Sequence, residues 1–357
     1  MSKYTIDLAK KLINIKSVKE NTSALKKVLK LAQNELSKTN HKNFSSNNSP
    51  SIIFYNTKTL PKKFKLILNG HLDVVDGKPE QFRPYIKGDK LYGRGAIDMK
   101  GPAAVLIKVF KDVAKKVDYP LGLQLVTDEE TGGFNGTKYQ IEKGIKADFV
   151  LAGEATDFKV NNKTKGIIWV DITSKGKTAH GAYPWKGENA IFKMNVFLNT
   201  LYKSFPIPKD EMWKTTVNVS KINTTNDTYN KVPDSCSVSL DIRFIPEDKD
   251  KIIKDLRCLL PKDFELNIKI QESCQLTDES NEYIKKLQES LNKINGRKSS
   301  MLATHGGADI RHYNKAGING VTFGPVGDGL HTNSEWVSIK SLEKYYEILI
   351  DFLHKIK

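Results

Sequence analysis

The sequence predicts an α/β protein of two domains: a mostly parallel central sheet covered by helices, and a split βαβ unit inserted into it. Three observations predict this. Up to about residue 166, apolar strand segments alternate with helical ones. From Ile167 to residue 274 the order becomes β-α-β-β-α-β. Helix, strand and helix then resume to the last residue. The boundaries expected are 1–166 and 275–357 for the discontinuous domain and 167–274 for the insert.

Ile6, Leu8, Leu12 and Ile13 recur at rough helical spacing, so the N-terminus reads as an amphipathic helix. It has no apolar block followed by a small-residue cleavage site, unlike a signal peptide. A second helix follows, and the polar residues 40–50 read as a loop. SIIFYN and FKLILNGHLDVV are strands, the second a continuous apolar run suited to burial on both faces. GPAAVLIKVFKDVAKKV is a helix, LGLQLVTDEE a strand, GTKYQIEKG a helix and ADFVLAGEAT a strand. In the insert, GIIWVDITSKGK alternates like a half-exposed strand and NAIFKMNVFLNTLYKSF is a long helix. TTVNVSKINTT and SCSVSLDIRFI are strands, EDKDKIIKDLRCLL a helix and FELNIKIQES the last strand. The chain returns through a helix from Glu282 to Ile294, the strand NGVTFGP and a terminal helix from Ser341.

The 357 residues, 39% hydrophobic and 27% charged, describe a soluble globular protein. No run approaches the roughly 18–20 apolar residues of a membrane span, and a cytoplasmic location is expected. The net charge of +16 comes from lysines spread along the whole chain, not gathered on one face. Nucleic acid is therefore not expected as a partner, although the charge could steer small anions. Cys236, Cys258 and Cys274 fit neither a disulfide framework nor a zinc knuckle and read as free thiols.

The chemistry gathers where strands end. His71 and Asp73 lie in GHLDVV, Asp98 in the glycine-flanked GRGAIDMKG, and Glu129 and Glu130 in TDEETGG. Glu154 lies in GEAT and His331 in GLHTNSE. Open α/β sheets bind ligands outside the carboxyl ends of their strands. Singly, each residue has a plain structural reading: Asp98 as a helix cap, Glu154 in a loop, His331 at the surface. Together they form an imidazole and carboxylate set without thiolate, suited to zinc or a neighbouring divalent ion. Carboxylates crowded at one rim would repel one another, and divalent cations relieve that repulsion.

In order and with the inserted domain, these motifs resemble the dinuclear-zinc aminoacylase-type metallopeptidases. That group includes acetylornithine deacetylase and succinyl-diaminopimelate desuccinylase, and the chain is most similar to the desuccinylases. The resemblance covers nearly the whole chain. It implies a zinc-peptidase-like catalytic domain and a ferredoxin-like lid and dimerisation domain, in a homodimer joined through the insert. It implies two Zn2+ ions, with Co2+ as a substitute: Asp98 bridging, His71 and Glu154 completing one site, and Glu130 and His331 the other. Asp73 would accept a hydrogen bond from His71 and orient it. Glu129, spared coordination by its neighbour, would be the general base.

In the insert, His180 in HGAYP would stabilise an oxyanion across the dimer interface, with Tyr183 beside it. Arg243 would grip a substrate carboxylate, with Asn230. Without the resemblance, His180 reads as an exposed loop residue and Arg243 as a salt-bridge partner. Two positions depart from the desuccinylase pattern. Lys165 stands where an Arg is usual, and Ala308, in a GGADIR stretch one residue short, replaces a hydroxyl residue.

The implied reaction is hydrolysis of an N-acyl amino acid, N-succinyl-diaminopimelate first, with a place in lysine biosynthesis. N-Acetylornithine, another N-acyl amino acid or a small peptide are the alternatives. A binding protein on this fold, without catalysis, would be expected to have lost Glu129 or a ligand.

Overall fold

A computed structural model describes residues 3–296 and 298–356. The chain forms two compact units. The first takes the residues up to Lys163, Leu276–Leu302 and those from Ala308 on; the second takes Thr164–Gln275 with Ala303–Gly307. The stretch Ala303–Gly307 departs from the uninterrupted insert read from the sequence. One tie within the second unit is the Lys165 backbone N–H, which donates to the Thr304 carbonyl at 3.2 Å.

The described residues build an eight-stranded sheet that belongs to the first unit except for the ends of its last two strands. Its order is Asn40–Ser46, Ser49–Tyr55, Leu121–Val126, Phe64–His71, Ala147–Ala152, Asn319–Thr322, Val160–Thr164 and Met301–Thr304. Leu121–Val126, Phe64–His71, Ala147–Ala152 and Asn319–Thr322 run parallel. Phe64–His71 is one of the two inner strands of that parallel set, which explains its unbroken apolar run; all its residues except Lys65 are buried. Helix Lys100–Val113 is buried on nearly every side because it packs against the strand Phe64–His71 and the helices Lys3–Ile13 and Ile339–Lys355.

Residues 40–50 are not a loop. Asn40–Ser46 pairs antiparallel with Ser49–Tyr55 around Asn47 and Asn48, which sit at φ 44° and 61°. Asparagine tolerates that left-handed backbone, so the pair suits a tight hairpin turn. The strand lies at the sheet edge and buries only Phe44, so it carries no alternating apolar pattern to be read.

A second, small sheet in this unit is ordered Gly327–Asp328, Trp336–Ser338, Lys90–Tyr92 and Tyr85–Lys87. Trp336 lies opposite Tyr92. The chain entering at Glu335 and the chain leaving at Gly93 therefore meet at one end of this sheet.

The second unit is an antiparallel four-stranded sheet ordered Thr216–Thr224, Ser235–Phe244, Gly166–Lys175 and Phe264–Glu272. Ile168, Val170 and Ile172 alternate inward onto a core with Met194 and Phe197 of helix Ala190–Ser204 and Leu256 of helix Ile252–Leu259. The three cysteines are unpaired; Cys236 and Cys274 are buried and Cys258 is exposed. Among the described residues no helix is long and apolar enough to cross a membrane.

Candidate metal centre

Seven of the residues singled out from the sequence lie in the first unit, at the carboxyl side of its parallel strands. His71 ends the strand Phe64–His71, and Glu154 follows the strand Ala147–Ala152. Glu129 and Glu130 lie in a 3-10 turn (Glu129–Thr131) beyond the strand Leu121–Val126. Asp98 immediately precedes the helix-capping Met99. His331 is held at φ 61° in the loop before Trp336–Ser338.

Four of these side chains, those of His71, Glu154, Glu130 and His331, gather around Asp98. Its Oδ1 lies 3.0 Å from His71 Nε2, and its Oδ2 lies 3.1 Å from His331 Nε2. Glu154 Oε1 is 3.6 Å from His71 Nε2, and Glu130 Oε2 is 3.1 Å from His331 Nε2. Two ligand-like groups result, His71–Asp98–Glu154 and Asp98–Glu130–His331, with donor atoms within 4.8 Å of one another in each.

The electrostatics of the site suit cations. Burial pushes the Glu130 carboxyl up to about 7; His71 opposes the shift and Asp98 reinforces it. Burial likewise raises Glu129 well above the usual carboxylate range, opposed by His71 and reinforced by Glu154, Asp309 and Asp98. Glu154 is raised for the same first reason, burial, with His71 opposing. Burial alone would pull His71 down, but Glu154, Asp73 and Asp98 outweigh it and raise the imidazole above its ordinary value. Burial would raise Asp98 too, but hydrogen bonds to His331 and His71 hold it below its ordinary value. Several acids crowded around two imidazoles, with nitrogen and oxygen donors only, fit divalent metal ions.

Asp73 lies between the two groups. His71 Nδ1 is 3.0 Å from the Asp73 backbone carbonyl and 3.5 Å from its carboxylate Oδ1. The other carboxylate oxygen, Oδ2, accepts the Glu130 backbone N–H at 3.0 Å. The glutamate turn is also held from behind. The Gly132 carbonyl accepts from Arg311 Nη2 at 2.6 Å and lies 2.8 Å from His312 Nε2. Burial pushes His312 down to about 3, so the ring is neutral and can donate there. Gly133, at φ 64°, would bring a Cβ within 1.9 Å of Asp309 Oδ1, so the turn needs glycine.

Sequence reasoning missed Glu335. Its carboxylate accepts from the backbone N–H groups of Gly95, Ile97 and Asp98 and from Arg94 Nη1, all within the loop that carries Asp98. Lys100 was also missed. It is fully buried and donates to the Ile15 carbonyl at 2.7 Å, and burial pushes it down to about 7 against the pull of Asp73 and Glu335.

The remaining expected site residues belong to the second unit. The His180 loop runs beside residues 230–232: His180 bridges Lys231, and the Gly181 N–H donates to the Asn230 carbonyl at 2.6 Å. His180 is exposed, its Nδ1 accepts the Ala182 N–H at 3.1 Å, and the Tyr183 ring lies 5.9 Å from its own. Arg243 Nε pairs with Asp241 at 2.9 Å. Lys165 is buried with its ammonium 6.0 Å from the Trp213 ring centre. Burial lowers its pKa and the Arg243 charge lowers it further. Ala308 belongs to the first unit and is buried there, its carbonyl accepting from Arg311 Nη1.

The model of peptidase family M20/M25/M40 matches residues 67–355. The chain belongs to this family. A succinyl-diaminopimelate desuccinylase of Pelagibacter ubique is 30% identical over 313 residues, 80% of each chain. Among solved structures, the aminopeptidase PepT from Bacillus cereus superposes with a TM-score of 0.80 at 16% identity, covering 99% of this chain and 98% of its own. The M20 family metallo-carboxypeptidase Sso-CP2 from Sulfolobus solfataricus gives a TM-score of 0.76 at 18% identity, covering 99% of both chains. As an M20 protein the chain is a metal-dependent hydrolase of amide bonds, and its mixed α/β fold is that of the family.

Proposed function

We propose that this M20 hydrolase is a dinuclear-zinc deacylase of N-acyl amino acids, acting first on N-succinyl-diaminopimelate. The observation that carries the dinuclear reading is Asp98, which presents one carboxylate oxygen to each of two ligand groups. His71 and Glu154 would complete one ion's protein ligands, and Glu130 and His331 the other's. Two Zn2+ ions there, or Co2+ in their place, would polarise the scissile carbonyl and acidify an attacking water.

Among the described residues none hydrogen-bonds the Glu129 carboxylate, and burial raises its pKa well above the usual carboxylate range. Glu129 would take a proton from the attacking water and pass it to the departing nitrogen. His180 would donate to the carbonyl oxygen as negative charge develops on it.

The desuccinylase relative supports the succinyl substrate, as do two cations of the second unit. No described carboxylate or carbonyl hydrogen-bonds the Lys165 ammonium, and Arg243 lies close enough to lower its pKa. Such a pair suits an anion. Lys165 would meet the succinyl carboxylate, and Arg243 with Asn230 the one beside the scissile nitrogen. This substrate would place the protein in lysine biosynthesis, in the cytoplasm. The peptidases among the solved neighbours favour a second reading, cleavage of a small peptide, on the same metal centre.

A homodimer joined through the insert is part of the proposal. Helix Ala190–Ser204 exposes Phe192 at 71% and Val196 at 65%, and Thr216–Thr224 is an edge strand with Ile222 exposed. A panel of N-succinyl, N-acetyl and dipeptide substrates, with chelator or added Zn2+ or Co2+, tests the function. Chelation should abolish hydrolysis and zinc restore it. The kcat/KM for N-succinyl-diaminopimelate should exceed that for N-acetylornithine at least tenfold, and Lys165→Ala should erode the difference. An acetyl or peptide preference would overturn the substrate and leave the metal chemistry standing.

A further inference from the structure

We propose that Glu335 is a positioning residue that holds two ligand-bearing loops in register and sets the affinity of one metal position more than the other. The proposal rests on the dinuclear reading above.

The Glu335 side chain is essentially sealed from solvent, at 1% exposure. Its Oε1 accepts the Ile97 and Asp98 N–H groups at 3.1 Å each. Its Oε2 accepts the Gly95 N–H at 2.9 Å and Arg94 Nη1 at 2.8 Å. Its own carbonyl accepts the Gly93 N–H at 3.1 Å. Gln81 adds a parallel tie, accepting the Arg94 N–H at its carbonyl and donating its side-chain amide to the Thr332 carbonyl.

A buried carboxylate is costly unless a cation and several donors satisfy it. Here Arg94 supplies the charge and three backbone amides the rest. Among the described residues, every hydrogen bond of that carboxylate goes to residues 94–98. The side chain therefore fixes the backbone from which Asp98 projects. Because Glu335 lies four residues after His331, it also anchors the loop that carries this imidazole.

The two metal positions depend on this anchor unequally. The His71–Asp98–Glu154 group draws one ligand, Asp98, from the paired loops; the Asp98–Glu130–His331 group draws two. Loss of Glu335 should disturb the second group more. Glu335→Gln keeps the shape, but its amide nitrogen must face N–H donors where the carboxylate accepted them.

Full-length protein titrated with Zn2+ by calorimetry, and with Co2+ followed by its visible absorption, tests this. Wild type should bind two ions. Glu335→Gln should hold one ion within about threefold of wild type and weaken the other tenfold to a hundredfold, the range for outer-sphere partners. In a His331→Ala background, adding Glu335→Gln should cost no more than about threefold further. Raising the metal concentration should restore kcat with KM unchanged, which a general loss of structure would not allow. Equal weakening at both positions, or none, overturns the proposal. Wild type that binds no more than one ion overturns the dinuclear reading and this proposal with it. If Glu335→Gln does not fold by circular dichroism, Arg94→Gln decides: the same selective loss, smaller in size, supports the proposal, and its absence overturns it.

Discussion

Asp73 Oδ2 accepts the backbone N–H of Glu130 at 3.0 Å, joining the end of one parallel strand to the turn that follows its neighbour. The residue two places after His71 thus sets where the other metal group's glutamate stands. Asp73→Ala removes the acceptor and should weaken the Glu130-containing position tenfold or more in a metal titration. Asp73→Asn keeps an oxygen that can accept the same N–H, so it should retain most of the affinity. If both variants lose it alike, the contact is not what matters.

The adjacent glutamates should separate cleanly. Glu129→Gln should keep both metals by elemental analysis and lose several orders of magnitude in kcat. Glu130→Gln should release metal from one position at concentrations that saturate the wild type. Equal metal loss in both variants would refute the division between base and ligand.

His180→Ala should lower kcat about a hundredfold or more while the metals stay bound, as expected for a donor to developing charge. If His180 serves the neighbouring subunit, mixing inactive His180→Ala with inactive Glu129→Gln should regain activity through hybrid dimers. A fully active monomer by sedimentation would contradict this.

His312 gives a pH prediction. Its folded pKa of about 3 lies below the ordinary histidine value, so the unfolded chain binds a proton that the folded chain refuses. Its contribution to stability is complete above about pH 6.5 and declines as pH falls toward the folded value. At pH 5 the decline should be about 2 kcal/mol. His312→Gln can still donate to Gly132 but does not titrate. Urea midpoints at pH 7.5, 6 and 5 should therefore fall less steeply for the variant; parallel slopes would show that His312 does not carry the effect.

The candidate metal groups were legible because their residues are chemically distinctive and sit beside glycines: His71 ends an apolar strand, Glu130 follows one, and Asp98 lies in a glycine-flanked loop before a helix. The parallel strands were legible because double-sided burial leaves unbroken apolar runs. Glu335 was not legible: it acts on backbone amides some 240 positions earlier, and a backbone N–H leaves no trace in residue type. The strand Asn40–Ser46 was hidden because an edge strand that buries one phenylalanine looks like a polar loop. The grouping of Ala303–Gly307 with the second unit depends on long-range contacts that no local pattern announces.

The unequal burial of the three thiols gives a practical handle. Cys258 is exposed on helix Ile252–Leu259, whereas burial raises the thiol pKa of both Cys236 and Cys274 and shields them. A maleimide dye or nitroxide applied to the native protein should therefore attach at one position without removing any cysteine. That position lies in the second unit, while every candidate metal donor lies in the first. A paramagnetic Co2+ ion in the first unit and a spin label at Cys258 would make a ready-made ruler between them. Read with and without a bound substrate analogue, it would report whether their separation changes during turnover.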